Sequence, residues 1–178
     1  MLISVNAQKI LKILHLITTS CWMGGCLATS ILMYASQYSQ SGEELFGVLK
    51  SYKYLNIIVT VYLGAYGSLF TGLAYSLCTN RGFIRHKWVI IKWVMTLGMI
   101  YQGGAYLGPW STAMLDMSRD MGLVALENAE YLRTQSLLQQ GHIVCLALFF
   151  LAIVLSVYKP WEQKELLAQY ARLYKQRG

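Results

Sequence analysis

The chain has 178 residues, 56% of them hydrophobic and 13% charged, with two prolines and a net charge of +7. A water-soluble domain carries roughly a quarter charged residues, so this composition excludes an ordinary soluble fold. The apolar residues fall in long blocks and not in short periodic runs, as in a chain built for lipid.

Four such blocks, 10–34, 54–78, 88–109 and 141–158, each approach the ~20 residues that cross a bilayer core as a helix. The sequence therefore predicts one all-α integral membrane domain over 1–178, a four-transmembrane-helix bundle. The first block is longer than the ~7–15 residues of a signal-peptide core, and no A-x-A site follows it, so it reads as a retained helix. The connection 36–53 reads as a short polar loop. The basic link TNRGFIRHK, 79–87, is tight, which makes helices two and three antiparallel neighbours. The segment 110–140 is longer and carries Leu123, Leu126, Ala129, Leu132 or Arg133, and Leu137 at amphipathic spacing, so the fourth helix should begin ahead of its apolar block. The tail 161–176 places Leu166, Leu167, Tyr170, Leu173 and Tyr174 on one face and reads as a helix lying on the membrane surface, or else as a protein-binding tail.

Charge gives these helices a direction. With both termini on one side, that side holds eleven basic residues, among them Lys9, Lys12, Arg81, Arg85 and Lys92, against Glu162 and Glu165. The other side holds Lys50, Lys53, Arg119 and Arg133 against six acids: Glu43, Glu44, Asp116, Asp120, Glu127 and Glu130. Lys- and Arg-rich short loops stay inside, so N-in/C-in is expected, in the cytoplasmic (inner) membrane of a bacterium. The positive charge is then topology, and no basic-aromatic pattern for nucleic acid stands out.

Four cysteines, Cys21, Cys26, Cys78 and Cys145, lack C-x-x-C spacing and read as small packing residues. Gly64, Ser68 and Gly72, and likewise Gly104 and Gly108, recur every four residues. That spacing lets helices approach closely in lipid, or leaves room for a flat ligand.

Two polar stripes interrupt the apolar blocks. On helix one His15, Thr18, Thr19, Trp22, Gly25, Cys26 and Thr29 share a face; on helix three Trp88, Lys92, Thr96, Met99, Gly103 and Tyr106 do the same. Intramembrane polar groups are costly and turn inward to partners or a cavity, so the two faces should meet around an interior site headed by His15 and Lys92. A neutral imidazole is a haem-iron ligand, and only His15, His86 and His142 are available. His15 and His142 should differ in depth by roughly 15–20 Å, too far to share one iron. His15 either ligates, alone or with His86, or simply hydrogen-bonds the next helix. His142 either holds a second haem with Met114, Met117 or Met121, or is an ordinary boundary residue. Lys92 can snorkel to the interface. Asp116 and Asp120 form either an outer metal site or a solvated helix end.

The run H-L-I-T-T-S-C-W-M-G-G, His15 to Gly25, together with W-V-I-I-K, Trp88 to Lys92, resembles the first- and third-helix motifs of the HemJ protoporphyrinogen oxidase family and the related CopD-type small membrane proteins. The resemblance covers about 30 of the 178 residues. It implies haem b, with His15 and Lys92 at the key positions. C-L-A-T-S-I-L-M stands where the family continues into a Pro-Arg pair, so the architecture and the haem are carried over and the reaction is not.

The expected function is haem b binding, with one haem or two, in electron transfer or in porphyrin- or quinone-linked redox chemistry. Cofactor contacts fall on His15, Lys92, His142, His86, Trp22 and Thr19. Membrane lipid, and a quinone or tetrapyrrole, are the expected partners, and an oligomer is compatible with the pattern. The competing reading is a non-redox transporter, a copper-handling protein or an accessory subunit of a membrane complex.

Overall fold

Three of the long helices begin where a side chain caps them. Ser4 Oγ accepts the Ala7 amide at 3.3 Å, Ser41 Oγ accepts the Glu44 amide at 3.1 Å, and Asn128 Oδ1 accepts the amides of Glu130 and Tyr131 at 2.9 and 3.1 Å. Glu44 Oε2 reaches back to the Gln40 amide at 2.7 Å, in the manner of a capping box. From these starts the computed structural model, which describes residues 3–78 and 87–158, runs in four long helices: α1 (Val5–Ser36), α2 (Gly42–Cys78), α3 (87–121) and α4 (Ala129–Tyr158). Among the described residues there is no strand. The surface helix expected over 161–176, like His86, lies outside the described residues.

α1, α2 and α4 are long and apolar enough to cross a membrane. Their large apolar side chains point outward; Ile10, Ile13, Leu16 and Ile17 on α1, and Ile143, Phe150 and Leu151 on α4, are all exposed. Outward apolar surface of this extent marks a protein that meets lipid.

Two stretches are wound as π-helix: Asn56–Tyr66 within α2 and Gly103–Leu107 within α3. The second lies just ahead of Pro109, whose ring would collide with the carbonyl four residues back in an α-helix; the wider turn relieves that. It also shifts the register. Met99 and Leu107 are buried, whereas Tyr106, expected on the inner face, is 46% exposed. In α2 the same widening brings Thr60, Gly64 and Ser68 to the inner face at intervals of four.

The end of the bundle that joins α1 to α2 and α3 to α4 is called here the head. The sequence reads 36–53 and much of 110–140 as connections, but the chain there is helical over Gly42–Leu55 and Gly108–Met121, followed by a 3-10 stretch, Gly122–Glu127. Leu45, Leu49 and Tyr52 from α2, Met114 from α3, Ala125, and Tyr131 and Leu138 from α4 are almost completely buried there. The buried face of α4 is thus Tyr131, Gln135, Leu138, His142 and Cys145, not the Leu123–Leu137 stripe; Leu132 is exposed. Gly122, at φ +59°, turns the chain from α3 toward α4. Its Cα would lie 2.9 Å from a Cβ on Gly42, so two glycine backbones meet at this corner.

α1 rests on α2 through small residues. A Cβ on Gly64 would stand 2.5 Å from the Trp22 Cα, and one on Gly67 would stand 2.8 Å from Thr18 Cγ2. Gly64, Ser68 and Gly72 therefore serve close helix approach. Gly104 does not, since a Cβ there would meet nothing within 4 Å. α2 and α3 pack together in the head but part toward the opposite end, where Gly67–Cys78 and Lys87–Gln102 share little contact. The expectation that they are neighbours holds only for their head-side halves.

Candidate functional site: a cationic cavity and a closed histidine cluster

The parting of α2 and α3 leaves a cavity of about 370 Å³ at the end of the bundle opposite the head. α1 contributes Lys12 and His15, α2 contributes Ser68, Gly72 and Tyr75, α3 contributes Trp88, Lys92, Trp93 and Thr96, and α4 contributes Ser156. The two stripes do meet, and His15 and Lys92 line the same space.

The ring of His15 lies over Gly72, where a Cβ would stand 3.2 Å from its Cε1. Thr71 fixes its orientation and its tautomer. The Thr71 hydroxyl donates to the Gly67 carbonyl at 2.7 Å, so its oxygen accepts the Nδ1–H of His15 at 2.9 Å. Thr18 Oγ1 lies 3.3 Å from the same Thr71 oxygen. With Nδ1–H given to Thr71, the neutral ring carries its lone pair on Nε2, and the Ser68 carbonyl also lies against the ring.

Lys92 Nζ donates to Ser156 Oγ at 2.9 Å and sits 5.8 Å from the Trp88 ring centre. Ser156 in turn donates to the Ala152 carbonyl at 2.6 Å. An ammonium has three protons to give, and Ser156 takes one. No Asp or Glu lines the cavity among the described residues. The sequence has none at all between Glu44 and Asp116 or between Glu130 and Glu162. A half-apolar space holding two lysines and no carboxylate suits an anionic ligand.

Trp22 and Thr19 do not line this cavity. Trp22 is buried edge-on against Phe149, with ring centres 5.1 Å apart, and Thr19 donates to the His15 carbonyl at 2.6 Å. Their place on the stripe reflects helix packing. Thr71 and Ser156, which orient His15 and Lys92, escape the sequence reading because each sits on a different helix from its partner. The spacing of Gly72 and Ser68 was the available signal.

His142 lies far from this space. Its Nδ1–H donates to the Leu138 carbonyl at 2.9 Å, and its Nε2 accepts from the Tyr52 hydroxyl at 3.2 Å, with Thr29 Oγ1 at 3.4 Å. Thr29 already donates to the Gly25 carbonyl at 2.9 Å. Both imidazole nitrogens are engaged within the protein, and the ring is 3% exposed. Thr29 is fourteen residues beyond His15 on α1, about 21 Å along the axis, in keeping with the expected separation in depth. Met114 is buried in the core of the head, and no group of three or more His, Cys, Asp or Glu among the described residues could hold a metal ion, Asp116 and Asp120 included. The four cysteines are free thiols, with Cys26 and Cys145 buried.

The chain matches no family model, no curated protein sequence and no solved structure.

Proposed function

We propose that the chain is an integral membrane protein that holds one haem b in the cavity opposite the head and serves electron transfer or quinone- or porphyrin-linked redox chemistry. The observation that carries this reading is that His15, its Nδ1 held by Thr71, and Lys92, which meets no carboxylate among the described residues, line one cavity. A histidine that spends Nδ1–H on a fixed acceptor is prepared to ligate a metal through Nε2. Its volume of about 370 Å³ falls in the ordinary range of ~300–1,000 Å³ for small-molecule sites. Lys92, with Lys12 behind it, would hold a propionate, and Tyr75 and Trp93 would flank the ring system. Haem supplies one-electron exchange at its iron. The residues themselves exclude water, hold the carboxylate and fix the imidazole plane. His142, with both nitrogens committed, is assigned to architecture and not to a second haem.

All four helices cross the membrane in this reading, with the head outside and both termini in the cytoplasm of a bacterium. The excess of Lys and Arg on the terminal side supports that direction.

The test is a reduced-minus-oxidised absorption spectrum of the purified protein, expressed with haem supplied. A b-type spectrum lost in His15→Ala and kept in His142→Ala is expected. A colourless wild type that is folded and monodisperse would overturn the assignment and leave the transport or accessory reading.

A further inference from the structure

A second, smaller cavity of about 230 Å³ lies between α2 and α3 where the head meets the apolar spans. Phe46, Lys50, Lys53 and Ile57 line it from one face of α2, at i, i+4, i+7 and i+11, and Leu115 and Arg119 line it from α3. Two cations flank one ring: Lys50 Nζ is 5.7 Å from the Phe46 centre and Arg119 Cζ is 5.4 Å from it. Lys53 Nζ donates to Thr112 Oγ1 at 3.2 Å.

This gathering runs against the composition of the head. The head segments carry six acids and only four basic residues, and three of those four, all but Arg133, converge on this cleft. No acid lines it. Three like charges held together repel one another, and a ring face and a hydroxyl do not neutralise them. The floor is apolar, with Leu115 buried and Ile57 37% exposed, and Tyr54 beside it is exposed. Tyr54 and Ile57 open the apolar block of α2, so the cleft has a charged rim facing the head and a greasy lower edge facing the span.

We propose that this cleft binds an anionic phospholipid in the head-side leaflet, its phosphate held by Lys50, Lys53 and Arg119 and an acyl chain running down past Ile57. The guanidinium matches two phosphate oxygens, and the two ammonium groups act as point charges. A zwitterionic headgroup fits poorly, because the cleft offers its cationic end no carboxylate. A soluble oxyanion would leave the apolar edge unused. Basic pockets between membrane helices recognise lipid headgroups by this combination. The site is separate from the haem reading and stands or falls without it.

The full-length protein in mild detergent, supplied with phosphatidylglycerol or phosphatidylcholine of identical chains, is read by native mass spectrometry for retained lipid. Retention of phosphatidylglycerol over phosphatidylcholine by about tenfold or more is expected. The preference should vanish in Lys50→Gln/Lys53→Gln/Arg119→Gln. It should persist in Lys50→Arg/Lys53→Arg/Arg119→Lys, which keeps the charge, and in Arg133→Gln, which lies off the cleft. Equal retention of the two lipids by the wild type would overturn the proposal. So would a preference that survives the neutralised triple variant or falls equally in Arg133→Gln, or displacement of the lipid by millimolar inorganic phosphate. Should the triple variant fail to fold, Lys50→Gln alone, at an exposed position, must lower the preference.

Discussion

The two ends of this bundle handle polar groups in opposite ways. In the head and just below it, His142, Tyr52, Thr29 and Leu138 close a hydrogen-bonded set amid side chains that are almost fully buried. At the other end, His15 bonds to Thr71, Lys92 bonds to Ser156, and both line a cavity. The core of the head is made of large residues, whereas α1 meets α2 through glycine and hydroxyl residues, the contact that serves helices where lipid removes the hydrophobic drive between them. A cavity is easier to leave open where packing is already thin. Two histidines of one sequence thus have different work: one closes a core and the other faces a void.

That contrast can be broken in a graded series. Gly64→Val should have the largest effect, because the added carbons meet the Trp22 backbone, which cannot step aside. A cost above ~3 kcal/mol and loss of the monodisperse peak on size exclusion are expected. His142→Ala should follow, at ~2–4 kcal/mol in thermal unfolding, since it opens a void and strands the buried Tyr52 hydroxyl. Occupancy of the opposite cavity should not change with it; a parallel loss of ligand would mean that the two ends are coupled.

Lys92→Gln should separate binding from stability. Affinity for an anionic porphyrin, followed by fluorescence quenching, should fall about tenfold, equivalent to ~1.4 kcal/mol. Thermal stability should hold or rise, because the variant no longer buries an ammonium group. A clear drop in melting temperature would recast Lys92 as a structural strut to Ser156. Gly104→Ala should be the mildest change, a gain of up to ~1 kcal/mol from helix propensity alone, since its methyl meets open space. If it unfolds the protein, the π turn at Gly103–Leu107 is less tolerant than its surroundings suggest.

Much of α1 could be read directly. Trp22, Gly25, Cys26 and Thr29 are buried on the face that 3.6-residue spacing predicts. The same spacing fails on α3 beyond Met99, because the π turn adds a residue and brings Leu107 inward in place of Tyr106. Within the head, 36–53 reads as a loop, although Gly42–Leu55 is helical, because that stretch is polar and charged. Ser41 with Glu44, followed by Leu45, Leu49 and Tyr52, was nonetheless a legible capped and periodic start. The start of α4 ahead of its apolar block is legible in the spacing, but the burial of His142, at the edge of that block, is not, because its partners Tyr52 and Thr29 lie on other helices.

By itself the sequence determined the apolar helices, their caps and the inward face of α1, since each depends on residues within a turn or two of one another. Tertiary structure alone decided which nitrogen of His15 Thr71 engages, where Lys92 is anchored and which cations converge. Thr71 lies 56 positions from His15, Ser156 lies 64 from Lys92, and Arg119 reaches Phe46 from another helix. No local pattern encodes such pairs. Their geometry follows from how closely glycines let α1 settle on α2, and from how far α2 and α3 part beyond the head.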